Sequence, residues 1–531
     1  MKRYLFLAIC CCFLAIGIQA APPLRGLMPM KLADGTIVTP SAETVSPFCG
    51  DNLCASQMEI GNGNYLQHSG SPRVLTILAA YQDLDFTVNN PVEAFDQYLN
   101  GDKQEDLGNH NQLNVASVRQ YFETSSHGQF TPQFDVVGPV TLPQKMAFYG
   151  GSNSTGSDDK FTEFCQDAMN QAKNLVNDWS VYDNDGDGRI ELVCVIFAGY
   201  GQNQGGADST IWAKASVKNL KVNNQLRITR FNCCSELFNP QLPDYINGTG
   251  VFIHEFSHCM GLPDLYATTS KAYVNNQGME TYSIMDYGLY NYNGYAPAAY
   301  TAWEQETMGW TEIEDIGGLM ADDGCHIDEL LPLIEGGKAY KLQNNDNDRD
   351  YIVMENIQRR GLNIRAEGHG LLVYHVDYPY ANVNMTDSPN NNPGHPSVAV
   401  VPAGGFLINS YLRGKDKEYT TNEWKASLAA AVFPGTKDVT SLTNQMQLPN
   451  YCFYNGNVQN STGFMLSDIT EDAETGSVSF AVTPDETSGI HEARRDHYDA
   501  QSPIYDLQGR QLQGPIKSGI YIIHGRKLLI K

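Results

Sequence analysis

The run from His254 to Asp264, HEFSHCMGLPD, constrains the fold of this 531-residue chain more than any other feature. On a helix, His254 and His258 lie four residues apart and project from one face, so both imidazoles can reach one metal ion. Gly261 can adopt a positive φ and Pro263 prevents the helix from resuming, so the chain turns back and presents Asp264 as a third ligand. Two nitrogens and one carboxylate leave the fourth position of a zinc ion open, which is typical of a catalytic zinc site.

Glu255 follows the first histidine and is rotated off the ligand face, where it can hold a water molecule without ligating the metal. Two histidines on zinc with a glutamate as general base is the arrangement that hydrolyses peptide bonds in metalloproteases. The alternative is a histidine pair on an amphipathic helix, satisfied by ordinary hydrogen bonds. Ser283–Tyr287, SIMDY, favours the zinc interpretation, because it resembles the Met-turn beneath the zinc site of metzincins.

An acidic loop, Asp183–Glu191, matches the front half of an EF-hand. Its oxygen ligands alternate and a glycine stands at the sixth position, but Cys194 takes the twelfth position, where a true EF-hand has a bidentate glutamate. We predict a structural calcium site completed from elsewhere, and the alternative is a turn that satisfies its own backbone. The candidate calcium ligands are Asp183, Asp185, Asp187, Arg189 and Glu191.

The first twenty residues read as a signal peptide, with Lys2 and Arg3 before an apolar run that ends near Ala20. No stop-transfer pattern and no later stretch of membrane-spanning length follows, so we expect a protein that is secreted or displayed on the outer cell surface. The formal net charge is −25 and becomes −27 once Lys2 and Arg3 are removed. Such a charge argues against nucleic acid and anionic membranes as partners. It suits a protein that binds divalent cations, although a solubilising surface is the commoner explanation.

Residues 21–71 lack periodicity and are predicted to be a prosegment, with a disordered linker as the alternative. Within them, Cys49 and Asp51 lie close together, as in zymogens whose prosegment occupies the open zinc position. The alternative is a local disulfide between Cys49 and Cys54. Of 12 cysteines, three lie in the signal peptide, and the odd remainder leaves at least one thiol unpaired within the chain.

Residues 72–312 are predicted to form an α/β catalytic domain. Apolar runs at 73–81 and 192–198 predict buried strands, and apolar residues at three- and four-residue steps predict helices near 92–99, 115–122 and 160–179. A further helix is expected at 300–310. Strand, helices and strand leading to the zinc helix are typical of an α/β domain.

Residues 313–484 are predicted to form a β-rich, sandwich-like domain, because short apolar runs alternate there with Gly, Asn and Pro clusters. His375 and Asp377 alternate off one predicted strand and could bind a metal, but a hydrogen-bonded histidine is the commoner arrangement. Residues 485–531 are predicted to be a linker followed by a small β tail. Its strands are expected around 504–510 and 519–531.

Taken together, these motifs identify a family. The chain resembles the immune inhibitor A family of secreted zinc metalloproteases, within the broader metzincin group. The matching landmarks are Ser117–Gly128, Asp183–Glu191, Phe197–Gly201, His254–Tyr266, Ser283–Gly288, Tyr351–Asn356 and Gly370–Asp377.

The resemblance implies that His254, His258 and Asp264 bind zinc and that Glu255 is the catalytic base. It also implies that Tyr287, at the position of the Met-turn tyrosine, touches zinc or supports the oxyanion. One departure is the stretch 211–214, IWAK, which lacks a histidine expected near its tryptophan and bears on the wall of the substrate cleft. The final segment is similar to the C-terminal sorting domains of type IX secretion in Bacteroidetes.

The expected function is that of a secreted zinc endopeptidase acting on protein or peptide substrates, including host extracellular proteins. One alternative is a surface adhesin or glycoprotein-binding protein in which the β-rich half has the main role. Another alternative is a zinc hydrolase of small peptides or of non-peptide amides.

Overall fold

The computed structural model describes residues 18–28, 30–31, 37–38, 65–151, 158–273, 275–320, 324–414 and 417–485, with short stretches between 491 and 530. The proposed Cys49–Asp51 switch and the Cys49–Cys54 disulfide lie outside the described residues. The α-helices are α1 Pro91–Asn100, α2 Val118–Ser125, α3 Met146–Tyr149, α4 Phe161–Ala172, α5 Thr249–Cys259, α6 Ala302–Thr307 and α7 Thr421–Ala429.

The strands of the first half are β1 Ile18–Ala20, β2 Met30–Lys31, β3 Ile37–Val38, β4 Arg73–Ala80, β5 Gln133–Thr141, β6 Arg189–Ile190, β7 Val193–Tyr200, β8 Lys214–Lys221, β9 Arg227–Asn239 and β10 Leu242–Ile246. Those of the second half are β11 Ile313–Asp315, β12 Cys325–Leu330, β13 Ala339–Asn344, β14 Asn347–Ile357, β15 Gly370–Asp377, β16 Val398–Val400, β17 Phe453–Asn455, β18 Val458–Asn460, β19 Phe464–Glu471, β20 Val478–Pro484, β21 His491–Glu492, β22 Ile504–Tyr505, β23 Gly519–Ile523 and β24 Arg526–Ile530.

The catalytic region is built on a mixed sheet in the order β1-β8-β9-β7-β4-β5, with β6 and β10 also paired to β9. The strands β9, β7, β4 and β5 are mutually parallel, whereas β8 runs antiparallel to β9. Residues of β4 contribute to two hydrophobic cores, one on each face of the sheet. Val74 and Leu78 belong to the core that contains α1, α2 and α5, and Leu75 and Ile77 belong to the core that contains α4. A strand buried on both faces explains the continuous apolar run seen in the sequence. The catalytic region is therefore a mixed α/β fold.

The helix predicted at 160–179 is shorter in the structure. It ends at Ala172, Leu175 is half exposed, and a separate 3-10 turn covers Trp179–Tyr182. The periodic apolar stripe continues past the end of the helix because Val176 and Trp179 are still buried, although both residues lie outside the helix. Val115 likewise precedes α2 and is exposed.

In the second half, a five-stranded sheet has the order β11-β13-β14-β15-β16 and a three-stranded sheet the order β12-β20-β19. Alternate residues of β14 again point to two cores: Ile352 and Met354 pack with the three-stranded sheet, and Tyr351 and Val353 with the catalytic region. The five-stranded sheet therefore shares a hydrophobic core with the zinc helix. Separate folding of residues 313–484 and the role of the tail remain predictions.

The backbone also shows that, among the described residues, no helix is both long enough and apolar enough to cross a membrane. All seven cysteines described by the structure are free, including the neighbouring Cys233 and Cys234.

Candidate active site

The three predicted zinc ligands converge at a buried point. The Nε2 atoms of His254 and His258 are 3.2 Å apart, and Asp264 Oδ1 lies 3.3 and 3.2 Å from them, respectively. All three side chains are buried. Among the described residues, Oδ1 of Asp264 has no hydrogen-bond donor. Two ring nitrogens and an unpaired carboxylate oxygen aimed at one another are the donor set of a zinc site, so these residues fit the metal.

Hydrogen bonds behind the rings fix their orientation. His254 Nδ1 lies 2.9 Å from the Ile284 carbonyl, and His258 Nδ1 lies 2.7 Å from the Leu262 carbonyl. A carbonyl can only accept, so each Nδ1 carries the proton and each Nε2 presents its lone pair to the metal point. The two imidazoles are thereby held as neutral ligands of the correct tautomer.

The turn that brings in Asp264 depends on Gly261. This residue has a φ of 112°, a conformation that side-chain-bearing residues rarely adopt, as the sequence predicts. Leu265 then donates from its main-chain nitrogen to the Met285 carbonyl at 2.8 Å. The third ligand is therefore tied directly to the predicted Met-turn.

The predicted Met-turn is a buried, tightly bonded loop. Ser283 Oγ donates to Glu304 Oε1 at 2.5 Å and accepts from the Met285 nitrogen at 2.9 Å. The Asp286 carboxylate accepts from the main-chain nitrogens of Met279, Glu280 and Tyr287 at 2.7–2.8 Å. These bonds make the loop beneath the His254 ring a rigid floor.

Glu255 is wholly buried beside the ligands. Its Oε1 accepts from the main-chain nitrogen of Ala21 at 2.6 Å, and its Oε2 has no partner among the described residues. Burial raises the pKa of Glu255 to about 8, against the opposing effect of the neighbouring His258. A buried carboxyl group with one free oxygen is suited to accept and return a proton.

Tyr287 is buried, and its hydroxyl accepts hydrogen bonds from the Arg25 main chain and from Arg413 Nη2, both at 2.7 Å. Arg413 lies in the second half of the chain, and its guanidinium also stacks 4.0 Å from the Trp424 ring. Sequence reasoning missed Arg413, because a lone arginine far along the chain carries no local pattern. Trp424 lies on α7, for which the Thr420–Glu423 capping box was an available signal.

Residues 20–28 run through the cleft above the ligands. Trp212 Nε1 donates to the Ala21 carbonyl at 2.8 Å, and the Tyr290 hydroxyl donates to the Pro22 carbonyl at 2.6 Å. Further along, Asn293 bonds both the nitrogen and the carbonyl of Met28 at 2.8 Å. The tryptophan of the unusual stretch 211–214 therefore lies in the wall of the cleft.

The predicted calcium loop gathers four carboxylates. Oxygens of Asp183, Asp185, Asp187 and Glu191 all lie within 4.8 Å of one another. Glu191 is buried, its Oε1 has no partner among the described residues, and burial raises its pKa to about 6. Arg189 is part of the loop, but its side chain points to Asp187 at 3.6 Å.

His375 and Asp377 do not converge on a metal point. His375 Nε2 is 2.7 Å from Asp350 Oδ1, and Asp377 Oδ2 is 2.7 Å from His395 Nε2. Each group has its own partner.

Comparison with known proteins shows which family part of the chain resembles. Residues 71–318 match the family described as immune inhibitor A peptidase M6, catalytic domain. The chain is similar to Immune inhibitor A of Bacillus thuringiensis subsp. alesti, with 26% identity over 234 residues, covering 38% of this chain and 34% of the relative. It is also similar to Pre-pro-metalloprotease PrtV of Vibrio cholerae serotype O1 (strain M66-2), with 27% identity over 222 residues, covering 37% and 24%.

The family match and the two relatives thus indicate that residues 71–318 form a metalloprotease domain. Within that class, residues 71–318 are similar to the immune inhibitor A, or peptidase M6, family, so the resemblance seen in the motifs is confirmed. The chain spans only about a third and a quarter of the length of these two relatives. The family match ends at residue 318 and gives no support to the sorting-signal interpretation of the tail.

Proposed function

We propose that this chain is an exported, zinc-dependent endopeptidase that cleaves extracellular proteins. The observation that carries the proposal is the convergence of His254, His258 and Asp264 on one buried point with Glu255 beside them. The metalloprotease family supports a catalytic metal, and two imidazoles with one carboxylate favour zinc. Bound zinc would supply Lewis-acid chemistry, polarising the scissile carbonyl and acidifying water.

The residues of the chain would perform the proton transfers. Glu255 takes a proton from the attacking water as general base, and the same carboxyl then returns it to the leaving amine nitrogen. The contact between Glu255 Oε1 and the Ala21 nitrogen supports this second role, because it shows an amide nitrogen within hydrogen-bond distance of the carboxylate. Tyr287 and Trp212 border the cleft and hold the main chain of a bound peptide.

The test is the Glu255→Gln variant of the purified protein. It should retain one zinc ion per chain and lose at least about 10²-fold of its activity on casein, since removing a general base typically costs that much. Glu312→Gln, at an exposed position, is the matched control and should keep full activity. Undiminished casein cleavage by Glu255→Gln would refute the assignment.

The same variant separates the endopeptidase from an adhesin, and a comparison of substrates separates it from a hydrolase of small peptides. An adhesin would retain its binding to glycoprotein in Glu255→Gln, and that binding would be its main activity. A hydrolase of small peptides would cleave dipeptides faster than intact proteins. Endopeptidase activity predicts the reverse preference, with internal cleavage sites in a denatured protein mixture.

We also propose that Asp183, Asp185, Asp187 and Glu191 bind a structural calcium ion, with the main-chain carbonyl of Arg189 at the EF-hand position that uses one. The support is the cluster itself and the unpaired, buried oxygen of Glu191. The loop joins the 3-10 turn Trp179–Tyr182 to β6 and β7, so a cation there would stabilise the catalytic sheet rather than take part in hydrolysis.

A further inference from the structure

Residues 18–28 lie against the edge of the catalytic sheet, and the first three of them, which belong to the predicted signal peptide, form the added strand β1. β1 pairs antiparallel with β8, with Gln19 opposite Ala215 and Ala20 opposite Lys214. The main-chain bonds continue from the Ala21 nitrogen to the Ala213 carbonyl at 3.3 Å and from the Leu24 nitrogen to the Asn203 carbonyl at 2.8 Å. Main-chain pairing with an exposed edge strand is a common way for a protein to hold an extended peptide of any sequence.

This pairing places one peptide bond, Ala20–Ala21, directly at the catalytic residues. The nitrogen of this bond lies 2.6 Å from Glu255 Oε1. In hydrolysis by a glutamate base, that carboxyl group delivers its proton to the nitrogen of the leaving amine. The Ala21 nitrogen therefore occupies the leaving-amine position, and the Ala20 carbonyl occupies the position of the scissile carbonyl.

The Ala20 carbonyl oxygen accepts a hydrogen bond from the Tyr266 hydroxyl at 2.5 Å. Tyr266 follows the third metal ligand by two residues, and its neighbour Leu265 is fixed on both sides. The Leu265 nitrogen donates to Met285, and its carbonyl accepts from Asn390 Nδ2 at 2.6 Å. A donor held by a rigid main chain is pre-positioned for the oxygen on which negative charge develops.

Tyr287 makes its contact elsewhere on the bound segment. Its hydroxyl accepts from the nitrogen of Arg25, four residues beyond Ala21, and is also occupied by Arg413. A hydroxyl at that position holds the peptide on the leaving-group side of the scissile bond. It does not meet the Ala20 carbonyl oxygen.

Building on the proposed endopeptidase function, we propose that Tyr266 is a catalytic residue whose hydroxyl donates to the carbonyl oxygen of the scissile bond. As water adds to the carbonyl carbon, the carbon–oxygen double bond becomes a single bond and the oxygen takes up the electron pair. The Tyr266 hydrogen bond strengthens with that charge. It weakens again when the carbonyl re-forms and the protonated amine leaves.

The experiment compares Tyr266→Phe with the parent enzyme, each as secreted and with its N-terminus determined by sequencing. Loss of one such donor should lower kcat about 10²-fold and leave KM within a few-fold. Zinc content and melting temperature should not change, because His254, His258 and Asp264 all remain and the tyrosine ring keeps its packing. Tyr380→Phe, at an exposed position far along the chain, is the matched control.

A second readout does not depend on turnover. A phosphinic peptide mimics the tetrahedral addition product, and its dissociation constant can be measured by calorimetry. In Tyr266→Phe this constant should rise by about the same factor as kcat/KM falls, whereas Tyr380→Phe should bind it like the parent.

Equal kcat and equal inhibitor affinity in Tyr266→Phe and the parent would overturn the inference. Loss of zinc or a lowered melting temperature would also overturn it, because Tyr266 would then be a structural residue. Failure of the proposed function has a different signature: the zinc-loaded parent enzyme itself would cleave no protein or peptide.

Discussion

The main-chain nitrogen of Ala21 lies 2.6 Å from Oε1 of Glu255, across 234 residues of sequence. The carboxylate that would activate water is therefore in contact with the chain's own N-terminal segment. Around this contact, the N-terminal segment pairs with the edge strand β8 and accepts hydrogen bonds from Trp212 and Tyr290, which line the cleft. A chain that retains this segment has a peptide in the place of its substrate.

We therefore predict that residues 21–28 inhibit the enzyme. A chain that begins at Tyr65 should hydrolyse a fluorogenic peptide at least about 10-fold faster than a chain that begins at Ala21, because an intramolecular ligand competes at millimolar effective concentration. The measurement is kcat/KM at substrate concentrations below KM. Tyr65 is kept because its ring stacks 4.0 Å from the buried Arg230.

A point substitution provides the control. The Arg25 side chain bonds Ser410 Oγ at 2.8 Å and faces the Tyr411 ring, so Arg25→Ala in the longer chain should recover part of the lost rate. Equal rates for the two chain lengths would show that the segment does not compete with substrate.

The second prediction concerns the approach of the zinc helix to the loop below it. A Cβ atom on Gly250 would lie 2.0 Å from the Leu289 carbonyl oxygen, which belongs to the 3-10 segment Tyr287–Gly294. Gly250→Ala must push α5 away from this loop and should cost about 3 kcal/mol, the upper range for overpacking in a tight interior. Melting temperature and zinc content should both fall.

Gly318→Ala is the matched control, because a Cβ atom at Gly318 would meet no atom within 4 Å. If Gly250→Ala has the melting temperature and zinc content of the parent, the close approach of α5 to the loop at Leu289 is not required for stability or zinc binding.

The sequence predicts those parts of the fold and site that depend on residues close together along the chain. The proposed zinc ligands lie on one helix and the turn after it, so the convergence of His254, His258 and Asp264 could be predicted from their spacing. The buried strands β4 and β7 were also readable, because continuous apolar runs are typical of parallel strands. The edge strand β8, KASVKNLK, was missed because its polar residues give no clear alternation.

The contacts of the cleft could not be predicted in this way. Residues 21–28 have no periodicity, and their position depends on main-chain bonds to residues about 180 to 270 positions later. Arg413 reaches Tyr287 across 126 residues, from the half of the chain predicted to be a separate β-rich domain. Main-chain recognition leaves no mark on side-chain identity, so only the fold can reveal it.

The third prediction tests the calcium loop. Saturating calcium should raise the melting temperature of the purified protein by several degrees, since a ligand at 100 times its dissociation constant stabilises the folded state by about 2.7 kcal/mol. Asp185→Asn removes one carboxylate charge from the cluster and should abolish most of this shift. Asp208→Asn, at an exposed position outside the loop, should leave it intact. A calcium response unchanged in Asp185→Asn would exclude this loop as the site.

The fourth prediction concerns the pH dependence of stability and rests on Glu355, a buried residue of β14. Its Oε1 accepts from the Ala302 nitrogen at the start of α6, 3.0 Å away. Burial raises the pKa of Glu355 from 4.5 to about 7, with a smaller contribution in the same direction from Glu304. The folded protein therefore keeps the proton over a pH range in which the unfolded chain has lost it.

Because the folded state binds more protons between about pH 4.5 and 7, the free energy of unfolding must fall as the pH rises through this window. The loss is on the order of 3 kcal/mol, since each unit of pKa difference corresponds to about 1.4 kcal/mol. Glu355→Gln keeps an acceptor for Ala302 but cannot ionise. Its melting temperature relative to that of the parent should rise from pH 5 to pH 8, whereas Glu474→Gln, at an exposed position, should show no such trend. A pH-independent difference between Glu355→Gln and the parent would mean that Glu355 is ionised in the folded protein throughout this range, with its charge stabilised by the Ala302 nitrogen and the Tyr374 hydroxyl.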